Sequence, residues 1–458
     1  PAPGSPPRSP GSDYGFYDPA EKSSPPSPTS SSQQPSRSPF EVVSLGHVYL
    51  SPTSHFASKQ LQSRHLTLHG NYLFEYTSYS TSSDPVPLGF AHLSKCKVID
   101  VDAVSFTLVV YRRPSKRSDL HNIVVKCPNK SRCSSIKKQI LRASELRIED
   151  LYKMDSYDLE EGDLGRGRFS CVKRSQRIGS GPDGRRVALK IVDKKAFWSR
   201  VETGMERKDT LVRELTVQAA LTYSMCNHPS YFPPLFIRLH GVFETFKHLV
   251  IEMELVDSDT SDLFQLMRSR GKLNELDAAD YIHNILYGIR GMQSLNIAHR
   301  DIKLANLMVT NDDSEVFVKL GDYGMANFVG KDGLIKGRCG TPGYVAPEIL
   351  KAGKNIGYSN KVDVFSAGVV MYTLLCGYEP FYGETDGELV DCNRRARVVF
   401  EDRDWGGISA EAKRLITRML DSNPETRITP DEALSSEWFR ESEIPTEAYP
   451  EGGSCAVS

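Results

Sequence analysis

The sequence predicts an α+β protein in two folded parts: a small antiparallel β domain closed by one helix, and a larger block that is β-rich first and helical later. Three observations predict it. Residues 41–147 hold short runs of alternating apolar and polar residues between polar loops, the period-two pattern of half-buried strands. Residues 134–146 follow with Ile136, Ile140 and Leu141 at helical spacing. Residues 157–439 then form a block of 283 positions in which strand signals give way to helical periodicity.

Taken in order, residues 1–40 contain 11 Pro and 11 Ser and no Ile, Leu, Val or Met. Such a segment buries too little apolar surface to offset the entropy of ordering, so a disordered tail is expected. Its Ser-Pro pairs at Ser5, Ser9, Ser24, Ser27 and Ser38 read first as solvated tail and second as sites for proline-directed phosphorylation. Strands of the small domain are expected at 46–50, 64–68, 72–76, 86–93, 106–111 and 122–127, with a His69-Gly70-Asn71 turn between the second and third. Residues 148–156 read as a short polar linker and 440–458 as an acidic flexible tail; no internal repeat is present.

Charge and cysteines narrow the class. The 458 residues carry 57 Lys+Arg against 58 Asp+Glu, a net charge of −1, so no nucleic-acid partner is indicated. The distribution is uneven: 41–147 carries +8 and 157–439 carries −4, which suits a small domain that meets an anionic surface. The longest nearly uncharged apolar stretch, 364–376, is too short for a bilayer, which takes about 20 residues. No basic-then-apolar leader opens the chain, whose first residue, Pro1, suggests a processed or partial product. Nine scattered cysteines without a Cys-x-x-Cys favour reduced thiols in the cytosol or nucleus over a disulfide frame or zinc site.

The larger block carries the chemistry. Leu164-Gly-Arg-Gly-Arg-Phe-Ser-Cys-Val172 is a glycine-rich hairpin whose backbone N–H groups could approach phosphates, although Ser170 holds the place of a third glycine. Val187-Ala-Leu-Lys190 is an apolar strand ending in a lysine suited to phosphate oxygens, and Glu214 follows in a helical pattern. His299-Arg-Asp-Ile-Lys-Leu-Ala-Asn306 then offers a carboxylate, a cation and an amide, Asp322-Tyr-Gly324 a second carboxylate, and Ala346-Pro-Glu348 closes the segment. These residue types fit phosphoryl transfer, which rests on positioning and on neutralising phosphate charge with lysine and a hard, oxygen-ligated cation.

In that order and spacing the motifs resemble a eukaryotic-type protein kinase domain over the whole of 157–439, with a small β-rich lobe and a large helical lobe. The resemblance implies an ATP- and Mg²⁺-dependent enzyme. It makes Asp301 the catalytic base, Lys303 a partner of the transferred phosphate, and Lys190 with Glu214 the ion pair of the small lobe. Asn306 and Asp322 become the magnesium ligands. Leu164, Gly165, Gly167, Val172, Ala188, Lys190, Met253, Glu254, Val256 and Met308 line the nucleotide site, with Met253 as gatekeeper and 254–256 as hinge. Asp363 resembles the buried aspartate that braces the catalytic loop, and Arg427 the arginine that pairs with Glu348. Tyr323 replaces the usual Phe, keeping an aromatic plug and adding a hydroxyl. Lys303 and Gly340-Thr-Pro-Gly-Tyr344 match kinases acting on Ser and Thr of protein substrates. The run from Trp405 to Phe439 resembles the calcium/calmodulin-dependent group, yet residues 440–458 contain no amphipathic basic helix for calmodulin. Asp262 resembles an acidic position that meets a substrate arginine three residues before the acceptor.

Two expectations about control follow. Between Asp322 and Glu348 the only hydroxyl side chains are Tyr323, Thr341 and Tyr344. Thr341 is expected to contact Asp301, and the position two before Cys339, where such kinases often carry a phosphorylatable residue, is Gly337. Arg300 would then lack a phosphate partner, and activity should not depend on phosphorylation of this loop. Residues 41–147 resemble a pleckstrin-homology domain, a β-barrel or sandwich with a C-terminal helix, carrying Ile136 at the family's tryptophan position. That implies phosphoinositide or anionic-membrane binding through Arg64 and Lys59, although Ser51 stands where a lysine is usual, and a regulatory or protein-binding module is the equal alternative. The order resembles protein kinase D. Localisation is expected to be cytoplasmic, with recruitment to a membrane and a nuclear place as the open alternatives. The competing class, a non-catalytic lipid-tethered scaffold, is disfavoured by the intact Lys190, Asp301, Asn306 and Asp322.

Overall fold

The computed structural model describes residues 43–50, 62–77, 86–111, 120–152, 164–178, 186–227, 234–256, 262–312, 315–351 and 357–441. The Ser/Pro tail, Ser51, Lys59, the basic cluster at 112–117, residues 153–156 of the expected linker and the tail from 442 lie outside the described residues. The chain divides into two compact units, one drawn from Pro1–Val212 and Arg238–Leu255, the other from Arg213–Ile237 and Val256–Ala456.

The first unit begins with a sheet of seven antiparallel strands: β1 (Val43–Leu50), β2 (Gln62–His69), β3 (Tyr72–Thr77), β4 (Gly89–His92), β5 (Lys97–Asp100), β6 (Ser105–Tyr111) and β7 (Leu120–Lys126). Its order is β4-β3-β2-β1-β7-β6-β5, so β1 joins two meanders. Alternate residues such as Leu66, Leu68, Phe106, Leu108 and Val125 turn inward and meet α1 (Lys130–Glu145) in one core. Asn129 caps α1, its side chain accepting from Arg132 N. Ile136 and Ile140 are buried as the periodicity requires, whereas Leu141 is 43% exposed and lies off the packed face. Strand β5 was not expected, because its mostly exposed residues carry no apolar alternation.

The second sheet of this unit has the order β11-β12-β10-β9-β8. It comprises β8 (Gly165–Arg166), β9 (Ser170–Gln176), β10 (Arg186–Asp193), β11 (Leu239–Glu244) and β12 (His248–Glu254), with α3 (Lys194–Glu202) after β10. The segment read as a polar linker starts with a buried turn: α2 (Ile148–Leu151) and Tyr152 join Cys171, Val187, Leu189, Ile191, Phe243 and Val250 in a single apolar cluster. Tyr152 Oη donates to Glu252 Oε1 at 2.5 Å inside it.

The two sheets meet where the β2–β3 turn reaches β11. Gly70 has φ +60° and forms a parallel bridge with Val242; a Cβ there would stand 2.6 Å from Val242 O, so only glycine fits. Asn71 N donates to Val242 O at 3.2 Å and Asn71 Nδ2 to Leu146 O at 2.9 Å. Beside this, Glu244 accepts from Tyr72 Oη and pairs with Lys194 Nζ, each at 2.7 Å, with His92 Nδ1 at 3.7 Å. Lys194 also donates to Thr245 O. A buried lysine is tolerable only with such partners.

The second unit is mainly helical. It contains most of α4 (Thr210–Asn227), then α5 (Leu263–Arg270), α6 (Glu275–Ser294), α7 (Pro347–Lys351), α8 (Val362–Cys376), α9 (Asp386–Arg395), α10 (Asp402–Trp405), α11 (Ala410–Met419), α12 (Pro430–Leu434) and α13 (Glu437–Glu441). The uncharged run read from the sequence becomes α8, buried along nearly its whole length and packed against α6 and α11. No helix among the described residues is long and apolar enough to cross a membrane. Capping boxes at Thr385/Glu388 and Thr429/Glu432 start α9 and α12. Two small two-stranded sheets, β13 (Ile297–Ala298) with β16 (Asn327–Phe328) and the hairpin β14 (Leu307–Asp312) with β15 (Glu315–Leu320), carry the loops that matter for chemistry.

Candidate active site

Strand pairing brings the chemistry of the second unit together. In the β14–β15 hairpin Leu307 is opposite Leu320. Asn306 therefore precedes one strand where Gly321 and Asp322 leave the other, and Gly321 N donates to Asn306 O at 2.9 Å. The loop from His299 to Asn306 enters from β13 and is held from beneath by Asp363 at the start of α8. Asp363, fully buried, accepts from His299 N at 2.7 Å and Arg300 N at 2.8 Å. Burial pushes its carboxyl above the usual range, and these donors with nearby His299 and Arg300 only partly offset that.

Asp301 is the centre of a donor cluster. Thr341 Oγ1 donates to its Oδ1 at 2.6 Å; Lys303 Nζ and Asn306 Nδ2 each reach its Oδ2 at 3.0 Å. Lys303 Nζ also donates to Thr341 Oγ1 at 2.9 Å, and Asn306 Nδ2 to Asp301 O at 2.8 Å. The carboxylate is thus fixed in rotation, with a cation beside it to meet an incoming anion. The expected Thr341–Asp301 contact is present.

Asp322 sits in a left-handed backbone conformation, φ 54°, and its carboxylate, on an exposed residue, accepts from Gly324 N at 3.3 Å. Glu214, buried on α4, comes close as well: a Cβ at Gly324 would lie 3.3 Å from Asp322 Oδ1 and 3.6 Å from Glu214 Oε2. Tyr323 fills the expected aromatic place and its hydroxyl is satisfied, donating to Leu320 O at 2.6 Å and accepting from Ile237 N at 3.1 Å. Arg427 forks onto Glu348 at 2.6 and 2.9 Å, as the resemblance implied.

Asn306 and Asp322 suit a hard divalent cation. With both Nδ2 hydrogens engaged on Asp301, the Asn306 amide is turned so that its oxygen is the remaining donor atom, alongside the Asp322 carboxylate. Among the described residues no group of three or more His, Cys, Asp or Glu could hold a metal. Two oxygen ligands completed by phosphates and water is the arrangement magnesium-type ions favour over an all-protein cage.

The first unit carries most of the expected nucleotide residues. Gly165 pairs with Val172 and Gly167 N donates to Ser170 O at 2.6 Å, closing the glycine-rich hairpin. On β10, Lys190 lies between Val172 of β9 and Ile251 of β12, and Ala188 is opposite Met253. Glu254 N donates to Arg238 O at 2.9 Å. Val256 and Met308 belong to the second unit, as do Asp301, Lys303, Asn306, Asp322 and Glu214. Asp262 caps α5, its Oδ1 accepting from Gln265 N at 2.8 Å.

Two contacts escaped sequence reasoning. Arg300 is not bare: its Nε donates to Met325 O at 2.8 Å and its Nη1 to Tyr358 Oη at 3.0 Å. The Glu244 cluster joins residues from 72 to 244. Neither had a local signal, because the partners lie from 25 to 172 positions apart in the chain. In the small domain, Arg64 Nε is bonded to Glu75 Oε1 at 2.8 Å, and its other nitrogens to Ser63 O and Gln62 Oε1.

Residues 159–439 match the protein kinase domain family. Over 284 residues, 62% of this chain and 88% of the relative, the sequence is 33% identical to myosin light chain kinase A of Dictyostelium discoideum. Over 283 residues, 62% of this chain and 75% of the relative, it is 34% identical to calcium/calmodulin-dependent protein kinase type 1B of Rattus norvegicus. The loop geometry built around Asp301 and the breadth of these matches converge: the chain belongs to the protein kinase family and is an ATP-dependent protein serine/threonine kinase.

Proposed function

We propose that this kinase uses Mg²⁺ with ATP, that Asp301 accepts and orients the substrate hydroxyl, and that the small β domain is a fixed regulatory partner of the small-lobe sheet. The observation that carries the catalytic reading is the cluster of Lys303, Asn306 and Thr341 on the Asp301 carboxylate. Held this way, Asp301 presents one orientation to an incoming Ser or Thr, and Lys303 stands ready to balance charge on the moving phosphoryl group. Magnesium, when bound, neutralises phosphate oxygens; Asp322 and Asn306 are the residues that would hold it. Lys190 takes the phosphate-neutralising role on the nucleotide; the resemblance assigns nucleotide contacts to Leu164, Gly165, Gly167, Val172, Ala188, Met253 and Glu254 in the first unit, and to Val256 and Met308 in the second.

The regulatory reading is supported by the buried Glu244 cluster and by Gly70 closing on Val242. The +8 charge of 41–147 supports contact with an anionic membrane surface, whereas the engagement of Arg64 by Glu75 weighs against a phosphoinositide pocket built on that arginine. Recruitment from the cytoplasm to such a surface is the corresponding localisation. A peptide array probed with the wild type beside Asp301→Asn tests the catalytic reading: labelling of Ser/Thr peptides by the first alone is expected, and equal labelling by both sinks it. Binding to neutral and anionic vesicles at rising salt tests the surface: affinity that is anion-dependent and falls with salt is expected, and equal binding to both refutes it.

A further inference from the structure

Arg300 precedes the catalytic Asp301 and is 6% exposed, with φ 66°. A buried guanidinium needs acceptors on its fork. One is the backbone oxygen of Met325, just past Asp322-Tyr-Gly324. The other is a neutral hydroxyl: Tyr358 Oη accepts from Arg300 Nη1 at 3.0 Å and donates its own proton to Gly337 O at 2.7 Å. Tyr358 is 3% exposed, and its backbone exchanges hydrogen bonds with Ile335, 2.8 Å from Ile335 N to Tyr358 O and 3.0 Å from Tyr358 N to Ile335 O. One phenol oxygen therefore links the catalytic loop to the segment that ends at Thr341, while the main chain of the same residue pins that segment two positions earlier.

Gly337 makes the arrangement exclusive. It is the position at which a phosphorylatable residue would be expected, yet its φ is +97°. A residue with a Cβ is strained there, although nothing lies within 4 Å of where that Cβ would stand. The backbone thus offers its carbonyl oxygen to Tyr358 where a side-chain phosphate would otherwise face Arg300. We propose that Tyr358 is a positioning residue for phosphoryl transfer, its hydroxyl holding residues 335–341 in register with Arg300 in the role a loop phosphate would play. Thr341, which donates to Asp301 and accepts from Lys303, is the beneficiary four residues beyond Gly337.

The proposal rests on the kinase reading, which the Asp301→Asn blank tests separately. Tyr358→Phe removes one oxygen and keeps the ring. Its kcat is expected to fall about tenfold with the KM for ATP unchanged, the size of one lost buried hydrogen-bond relay. A cycle with Arg300→Lys distinguishes positioning from general softening: the double variant should be no slower than Arg300→Lys alone, and an additive loss of about a hundredfold overturns the proposal. Amide exchange in 335–341 gives a readout that needs no turnover. Exchange there should rise about tenfold in Tyr358→Phe with α8 unchanged, and unchanged exchange at 335–341 overturns it. Wild-type enzyme treated with phosphatase, and then shown by mass spectrometry to carry no phosphate on Tyr323, Thr341 or Tyr344, should keep the full activity of the untreated sample; a loss of activity that tracks phosphate removed from any of the three is equally fatal.

Discussion

Asp363 and Glu244 are both buried carboxylates, Asp363 with no exposure and the Glu244 side chain with 6%, yet they are stabilised in opposite ways. Asp363 accepts from two backbone N–H groups of one loop; burial dominates, and its proton is held to higher pH than usual. Burial acts on Glu244 in the same direction, but the Lys194 charge and then His92, with the hydrogen bonds from Lys194 and Tyr72, outweigh it and bring the carboxyl below its usual range. One acid is a geometric brace that sets a backbone conformation. The other is an ionic rivet that joins β3, β4, α3 and β11. Breaking the brace should therefore damage chemistry first, and breaking the rivet should damage stability first.

The largest effect is expected at the brace. Asp363→Ala leaves the N–H groups of His299 and Arg300 buried without an acceptor and frees the loop on which Asp301 rides. A shift of about 1 Å in a reacting group costs on the order of a hundredfold, so kcat should drop by about that factor. Thermal melting and peptide phosphorylation, measured on the same sample, check it; a variant that loses stability but keeps its turnover contradicts the geometric role.

At the rivet, Glu244→Gln keeps the shape and leaves Lys194 charged and buried. Loss of one partner of a buried pair costs about 3 kcal/mol, seen as a lower urea midpoint at constant slope. Lys194→Met with Glu244→Leu removes both charges and should recover most of that loss. If the double variant is no better than the single, the lysine is not what makes Glu244 necessary.

The sequence made the brace legible and the rivet invisible. Asp363 lies in a motif whose neighbours repeat across kinases, so the resemblance to that family gave His299, Asp301, Asn306, Asp322, Glu348 and Arg427 their places. Most strands of the small domain were legible because Leu66, Leu68, Phe106 and Leu108 alternate with polar residues. β5, with an exposed pattern, and the outward turn of Leu141 were not. Nothing in the sequence singles out Glu244 and Lys194, whose pairing lies beside the place where Tyr72 and Gly70 approach β11. Ile148, Leu151 and Tyr152 were read as linker because a single i, i+3, i+4 set among polar residues is too short to establish a helix; their burial depends on the sheet beneath.

The opposite pKa shifts give the next test. Glu244 titrates low in the folded state, so its contribution is complete above the ordinary carboxylate pKa and is lost as pH falls through its depressed value. His69 and His65, lowered from 6.5 to about 3 and about 4 chiefly by burial, act with the same sign: the unfolded chain takes up their protons first, so stability falls as pH drops from about 6.5 toward 4. Asp363 acts the other way, since the unfolded state ionises first and stability falls as pH rises toward its raised value. Melting curves between pH 4 and 7 should therefore flatten in His69→Leu and steepen in Asp363→Asn. Parallel curves for wild type and both variants would show that neither environment differs from water.

Two tyrosine hydroxyls provide the finest comparison, one at each site. Tyr72 donates to Glu244 Oε2 at 2.7 Å, and among the described residues no backbone group is bonded to Tyr72 Oη in its stead. Tyr72→Phe thus takes a charge-assisted hydrogen bond from a buried carboxylate, at a cost of about 1–2 kcal/mol. Tyr323 bridges Ile237 N and Leu320 O, but those two groups are already bonded to each other at 3.1 Å. When the hydroxyl is removed, donor and acceptor keep each other, and the phenyl ring still fills the same buried place. Tyr323→Phe should therefore cost under about 0.5 kcal/mol and leave kcat unchanged, because a hydrogen bond with a backbone substitute contributes little net stability. Denaturant midpoints of the two variants side by side are the measurement. Equal losses would mean that the hydroxyl of Tyr323 carries a function that its backbone neighbours cannot supply.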